Sequence, residues 1–77
     1  MNHKELDTVV LTRDLPEHGL KSGDLGAVVF VSPESLEVEF VLANGETQAL
    51  VTLTPDEVRP IGDRDLMAVR RAEPPGV

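Results

Sequence analysis

The chain has 77 residues, enough for one small domain, and a domain of this size buries only about 60% of the surface that its unfolded chain exposes. It contains no cysteine, which excludes disulfides, thiolate metal sites and thiol nucleophiles. Fourteen acidic residues against seven basic ones give a formal net charge of −7, which disfavours polyphosphate ligands and favours basic partners.

Hydropathy sets a second limit. No apolar run in the sequence approaches the roughly 20 residues that span a bilayer, and the polar N-terminus has no apolar signal core. Together with the absence of cysteine, this predicts a cytoplasmic protein with no membrane association.

The first predicted strand covers residues 7–12, with Val9 and Leu11 on one face and Thr8, Val10 and Thr12 on the other. A polar loop over residues 13–23 follows it. This loop is long for a hairpin connection and belongs on the surface. We expect Leu15 and Leu20 to turn inward and anchor the loop to the core.

The strongest strand signal lies in residues 27–31, which are all apolar and mostly β-branched or aromatic. Because this segment is apolar on both faces, we expect it to be the central strand. Gly23 and Gly26 precede it, and each allows a positive φ or a close backbone approach where the chain turns into the strand.

Two strands and a turn follow. Residues 36–42 alternate apolar and polar positions, as a half-buried antiparallel strand does. The pair Asn44-Gly45 predicts a type I′ hairpin, which makes residues 47–53 the return strand. Residues 54–58 begin with a threonine cap and a proline, which predicts a single 3₁₀ turn.

The last strand, residues 59–61, is short and contains Pro60, which favours an edge position. The whole pattern predicts an all-β fold, a small barrel of about five strands, because closure removes exposed edges. We divide the chain into this domain, residues 1–62, and a C-terminal extension, residues 63–77. The extension is expected to be a short helix or a disordered tail.

The order of these signals resembles a family of short bacterial proteins classed as a domain of unknown function, whose members look like SH3-like barrels. The resemblance covers about residues 6–61. The residues that carry it are Gly23, Asp24, Gly26, Val28, Val38, Glu39, Phe40 and Gly45. It implies the SH3-like fold and a place in a small gene pair of the toxin–antitoxin kind. It transfers no catalytic or binding residue.

Catalytic signals are weak. Glu37 and Glu39 share one face of a strand, as the carboxylate pair of a glycosidase does, but the chain has no tryptophan or tyrosine to stack on a sugar. The only histidines, His3 and His18, lie in the polar lead-in and in a loop, where a buried and oriented base is not expected. We expect neither enzyme activity nor a cofactor.

Two groups of residues contain side chains that can bind metal ions. Asp14, Glu17, His18 and Asp24 crowd the long loop, but their spacing matches no known metal motif. The segment Met1-Asn2-His3 could hold Cu(II) through a free amino terminus. A solvated acidic loop is the simpler interpretation, and a small metal-dependent enzyme is the least favoured of the alternatives.

Nucleic-acid binding is the stronger alternative, because SH3-like barrels of the translation machinery bind RNA with basic grooves and stacking rings. The only rings here are Phe30 and Phe40, and both lie on apolar faces where we expect them in the core. The lysine and arginine residues are scattered along the sequence, and Arg70-Arg71, near the end of the chain, is the only adjacent pair, so the sequence predicts no basic groove.

Protein binding is the preferred interpretation. The strands carry a surplus of apolar residues, Val10, Val41 and Leu50, which are either covered by the C-terminal extension or left as an interface. We expect a non-catalytic interaction module that binds a protein partner or a second copy of itself, and the resemblance implies an antitoxin-like role for it. The residues predicted to bind are Glu37, Glu39, Val41, Leu50, Leu66, Met67 and Val69.

Overall fold

The computed structural model describes residues 3–74, and over this range the chain is all-β, as the sequence predicts. Two 3₁₀ turns lie in the connections between strands, at Pro16–His18 and Pro55–Glu57. The second was predicted from its threonine cap, whereas the first lies in the segment predicted as a plain loop. The strands are β1 (Thr8–Leu11), β2 (Leu25–Val31), β3 (Leu36–Val41), β4 (Thr47–Leu53) and β5 (Val58–Pro60).

All five strands form one antiparallel sheet in the order β4-β3-β2-β1-β5, which confirms β2 as the central strand. The sheet is open, because β4 and β5 pair with β3 and β1 but not with one another in the described residues. Full closure by hydrogen bonds, expected from the sequence, is therefore not reached. Strand β5 has only three residues, and Pro60 has no N–H to donate to a further ladder.

One hydrophobic core lies inside the curved sheet, and side chains from all five strands contribute to it. The loop between β1 and β2 is anchored there as predicted, since Leu15 and Leu20 are both buried. Their backbones pair as an isolated bridge, with the Leu15 N–H donating to the Leu20 carbonyl at 2.9 Å. The buried hydrophobic residues of this cluster are Val9, Leu11, Leu15, Leu20, Val28, Leu36, Val38, Phe40, Val51, Leu53 and Val58.

A β-bulge changes the second half of β2. Val28 pairs with Val38, but the next pair is Phe30 with Glu37, so one residue of β2 is unmatched. The side chain of Phe30 therefore faces away from the core and is 53% exposed. The prediction that Phe30 is a core residue is wrong, whereas Phe40 is buried as predicted.

Gly26 is needed for close packing rather than for a special backbone conformation. A Cβ at this position would stand 2.5 Å from Cγ1 of Val38 and 2.9 Å from Cε2 of Phe40. Its φ is not positive, whereas Gly23 has a φ of +99° in the turn that leads into β2. The two glycines thus divide the two roles that the sequence left open.

Of the two alternatives expected for the C-terminal extension, the short helix is not formed, and after a turn near Asp63 the chain is irregular up to Pro74. A nine-residue helix gains little stability in water, and polar contacts with the sheet hold this segment instead. No helix in the described part of the chain is long and apolar enough to cross a membrane.

Candidate interaction site

The outer face of the sheet, opposite the core, carries the predicted acidic pair. Phe30 of β2 lies beside Glu37 of β3, which in turn lies beside Thr52 of β4. In the next row Glu39 lies beside Leu50. We call Phe30, Glu37, Glu39, Leu50 and Val41 the outer patch. It combines three exposed apolar side chains with two half-buried carboxylates.

The carboxylates of the outer patch, those of Glu37 and Glu39, have no ion-pair partner in the described part of the chain. Glu39 accepts a hydrogen bond from the hydroxyl of Thr47 on β4, which orients one of its oxygens. Because no basic group neutralises them, they give this face a negative potential that attracts basic groups.

Residues 61–74 follow β5, contact the β1–β2 loop and the start of β4, and are called the C-terminal strap. Arg70 is its main anchor. Its Nε donates to Oδ1 of Asp24 at 2.9 Å, its Nη2 donates to Oδ2 of the same carboxylate, and that Nη2 also donates to the Gly19 carbonyl at 3.1 Å. These bonds raise the pKa of the Arg70 guanidinium. A two-pronged pair of this kind fixes geometry as well as charge.

A second anchor joins the strap to β4. The side-chain amide of Gln48 donates to the Glu73 carbonyl at 2.8 Å and to the His18 carbonyl at 3.2 Å. The strap passes so close to Gly19 that a Cβ there would collide with the Glu73 carbonyl oxygen. The first 3₁₀ turn, β4 and the strap therefore meet at one point.

The third anchor lies where the strap leaves β5. Arg59 donates to both oxygens of Asp65, at 2.8 and 2.9 Å, and the Gly62 N–H donates to Asp65 at 2.6 Å. The Arg59 hydrogen bonds, followed by the Gly62 N–H, lower the pKa of Asp65 to about 2. The carboxylate of Asp65 is thus ionised at neutral pH. Its hydrogen bonds to Arg59 and to the Gly62 N–H hold the turn that follows β5.

Between the strap and the sheet lies a groove of about 350 Å³, with Val10, Leu25, Phe40, Leu42 and Ile61 among its apolar lining residues. Val10 points away from the main core yet is only 5% exposed. Part of the surplus apolar surface predicted from the sequence is therefore covered. Val41 and Leu50 remain about half exposed.

The apolar side chains of the strap line the groove but stay exposed. Leu66, Met67 and Val69 are 88%, 69% and 101% exposed, so they cover little of the surplus apolar surface. Polar contacts of Asp65, Arg70 and the Glu73 backbone hold the strap instead. Local sequence patterns do not predict this arrangement, because Asp24 and Arg70 are 46 positions apart.

Two of the loop acids, Asp14 and Asp24, have structural partners. Asp14 accepts the Ser22 N–H at 2.8 Å, and Asp24 accepts the Lys21 N–H at 2.8 Å as well as binding Arg70. Among residues 3–74, no group of three or more His, Asp or Glu side chains could hold a metal ion. The copper site considered at the amino terminus includes Met1 and Asn2, which lie outside the described residues.

The family of the chain follows from comparison with known proteins. The profile of DUF4926, a domain of unknown function, matches residues 5–60. The chain belongs to this family. The DUF4926 match covers all five strands and ends at Pro60, so the strap lies beyond it. The predicted resemblance to a family of unknown function is thereby confirmed. No curated protein and no solved structure matches the chain.

Proposed function

We propose that this DUF4926 chain is a non-catalytic protein-interaction module that binds a basic protein through the outer patch. The observation that carries the proposal is the combination of Phe30, Val41 and Leu50, each about half exposed, with Glu37 and Glu39, whose carboxylates form no salt bridge within residues 3–74. Exposed apolar side chains gain free energy when a partner covers them. Flanking charges select the sign of that partner and speed its approach.

The charge of the whole chain supports the same partner class. The formal net charge is −7, and the basic residues Arg13, Arg59 and Arg70 are each engaged with a carboxylate of the same chain. A basic protein is attracted at long range by such a surface, and the attraction weakens as salt increases.

Nucleic-acid binding is the second candidate, and one observation favours it. The ring of Phe30 is exposed, contrary to the expectation from sequence, and an exposed ring can stack on a base. Its cross-strand neighbour is Glu37, however, and a carboxylate beside the ring repels the phosphate backbone. The protein interaction is therefore the better supported of the two.

The proposal includes the biological setting expected from the resemblance: a cytoplasmic bacterial protein with an SH3-like fold, acting as the neutralising, antitoxin-like member of a small gene pair. The strand order β4-β3-β2-β1-β5 supports the SH3-like arrangement. The acidic charge supports the pairing, because a basic toxin is the complement of an acidic neutralising protein.

The test is capture of the partner by the tagged protein from its own host, followed by association kinetics with the purified partner. The Glu37→Lys/Glu39→Lys variant should associate several-fold more slowly, because the local field changes sign. The control Glu17→Lys/Glu34→Lys makes the same change in net charge at two exposed loop positions. Equal slowing in both variants, or co-purification of nucleic acid in place of a protein, would contradict the proposal.

A further inference from the structure

One edge of the sheet is open. Strand β4 pairs only with β3, and in the described part of the chain its backbone makes no hydrogen bond on the opposite side. Near the start of β4, the side chain of Gln48 donates hydrogen bonds to the His18 carbonyl in the loop and to the Glu73 carbonyl in the strap. The open stretch of the strand is therefore residues 49–53. Unpaired N–H and C=O groups in a row are a template for another strand.

The two edges of the sheet differ in their protection. Strand β5 is three residues long, contains Pro60, and has Arg59 bound to Asp65 of the strap. Strand β4 is seven residues long and contains no proline, glycine or charged residue. Short length, proline and charge are the usual ways to block an edge, and β4 has none of them. Leu50, at its centre, is 56% exposed.

Carboxylates surround this neutral edge. Glu46 precedes β4, Asp56 and Glu57 follow it, and Glu37 and Glu39 lie on the adjacent strand β3. One basic side chain is paired with this group, that of Arg13, at 3.0 Å from Glu57. A strand that pairs along β4 would therefore have an apolar neighbour at its centre and acidic neighbours at both ends.

We infer that β4 receives an extended segment of the basic partner as a sixth strand. The segment has β-branched or apolar residues at its centre and lysine or arginine at its ends. This inference rests on the proposed function and adds the mode of recognition: backbone hydrogen bonds from β4 supply affinity, and alternate side chains beside Leu50 and Thr52 supply specificity.

Charge argues for such a segment rather than a second copy of this chain. If β4 paired antiparallel with itself about Leu50, Glu46 of one copy would lie opposite Thr54 of the other and close to its Asp56. Two such approaches of like charge would occur in each dimer, between chains that each carry −7. A segment with basic ends converts the same approaches into attractions.

The test uses a synthetic probe, a short capped peptide with a Thr-Val-Thr-Val-Thr centre and paired lysines at each end. Amide hydrogen exchange and chemical-shift titration locate its binding. We expect protection of β4 amides that exchange freely without the peptide, and binding that weakens as salt increases. The same peptide with N-methyl groups on alternate amides should not bind, because it cannot complete the ladder.

Matched variants decide whether the edge or the face is used. Leu50→Lys places a charge on the edge strand, whereas Phe30→Lys places the same charge on central strand β2, at a side chain with nearly equal exposure. The inference requires Leu50→Lys to weaken peptide binding at least ten-fold, which is about 1.4 kcal/mol of binding free energy. Phe30→Lys should weaken it less than three-fold, which is about 0.6 kcal/mol.

Three results would overturn the inference. They are absence of binding at millimolar peptide, equal binding of the N-methylated peptide, and a doubled mass by light scattering that shows a second copy on the edge. None of them contradicts the proposed function, which the Glu37→Lys/Glu39→Lys kinetics test separately. Conversely, the proposed function is contradicted if a captured partner associates with that variant as fast as with the wild type, whether or not the peptide binds.

Discussion

Gly19 meets the strap twice, through the side chain of Arg70 and through the backbone of Glu73. Its φ is +69°, its carbonyl accepts a hydrogen bond from Arg70, and its missing side chain leaves room for the Glu73 backbone. No other residue type satisfies all three conditions, because a Cβ adds strain at positive φ and fills the space. This glycine thus couples the loop conformation to the strap.

We expect Gly19→Ala to lower the free energy of unfolding by about 1–3 kcal/mol, through backbone strain and collision with the strap. Gly23→Ala is the matched control, since Gly23 also has a positive φ but no atom lies within 4 Å of its Cβ position. Urea unfolding measures both. If the two variants lose equal stability, the strap makes no close contact at Gly19.

Asp65 links stability to acid pH. Its pKa of about 2 lies below the ordinary value of 3.8, so the stabilisation by Arg59 and the Gly62 N–H is complete above pH 4. It is lost as the pH falls through 2. We expect Asp65→Asn to be less stable at neutral pH and to have a flatter stability profile between pH 4 and pH 2.

Asp63→Asn is the control, because it removes the same charge two residues away at a carboxylate that makes none of these hydrogen bonds. Thermal unfolding at a series of pH values compares them. A profile for Asp65→Asn that runs parallel to the wild type below pH 4 would mean that the ion pair does not contribute in solution.

At the scale of elements, the strap depends on the planar fork of one arginine. We expect Arg70→Lys to reduce stability by about 1 kcal/mol, because an ammonium group cannot reproduce the paired bonds to Asp24 together with the bond to Gly19. Arg71→Lys, one position away and exposed, should change nothing measurable.

Amide hydrogen exchange over residues 61–74 gives the local readout. Arg70→Lys should accelerate exchange at the strap without changing β2 or β3, because the strap opens independently of the core strands. Equal exchange rates in the wild type and Arg70→Lys would show that the guanidinium fork does not hold the strap.

Local sequence patterns identified the strands well and the irregular elements poorly. The alternation over residues 36–42 and the Asn44-Gly45 turn predicted the β3–β4 hairpin, with β4 found at Thr47–Leu53. The bulge that turns Phe30 outward was missed, because an all-apolar segment is consistent with either register. The strap was missed because its partners are distant in the sequence.

The same distinction applies to the candidate site. Strand periodicity located four residues on the outer side of the sheet, and the structure places all four there. Two of them, Glu37 and Glu39, are half-buried, and the other two, Val41 and Leu50, are exposed. Strand periodicity could not bring Phe30 to them, since that depends on the bulge. Nor could it predict the unequal edges, which depend on the order of strands in the sheet.

At the scale of the whole molecule, a domain this small has little stability to spare. Removing residues 63–77 uncovers Val10 and the groove and deletes the Arg59 and Arg70 pairs. We expect a loss of about 1–3 kcal/mol and a melting temperature lower by roughly 5–15 °C, measured by circular dichroism.

The matched variant keeps the strap and changes only its exposed apolar side chains: Leu66→Ser, Met67→Ser and Val69→Ser together. Because these side chains are exposed, it should melt within a few degrees of the wild type. A melting temperature for the triple variant as low as that of the truncated chain would mean that apolar docking, not the polar anchors, holds the strap.

The three anchors of the strap also determine the order in which the molecule is completed. Arg70 reaches Gly19 across 51 positions and Glu73 reaches Gln48 across 25, so these contacts can form only after the sheet and its loop are in place. The sheet comes first during synthesis because the chain emerges from its amino end. The strap therefore joins after the sheet and leaves before it, a latch whose opening is a brief local event in an otherwise folded protein.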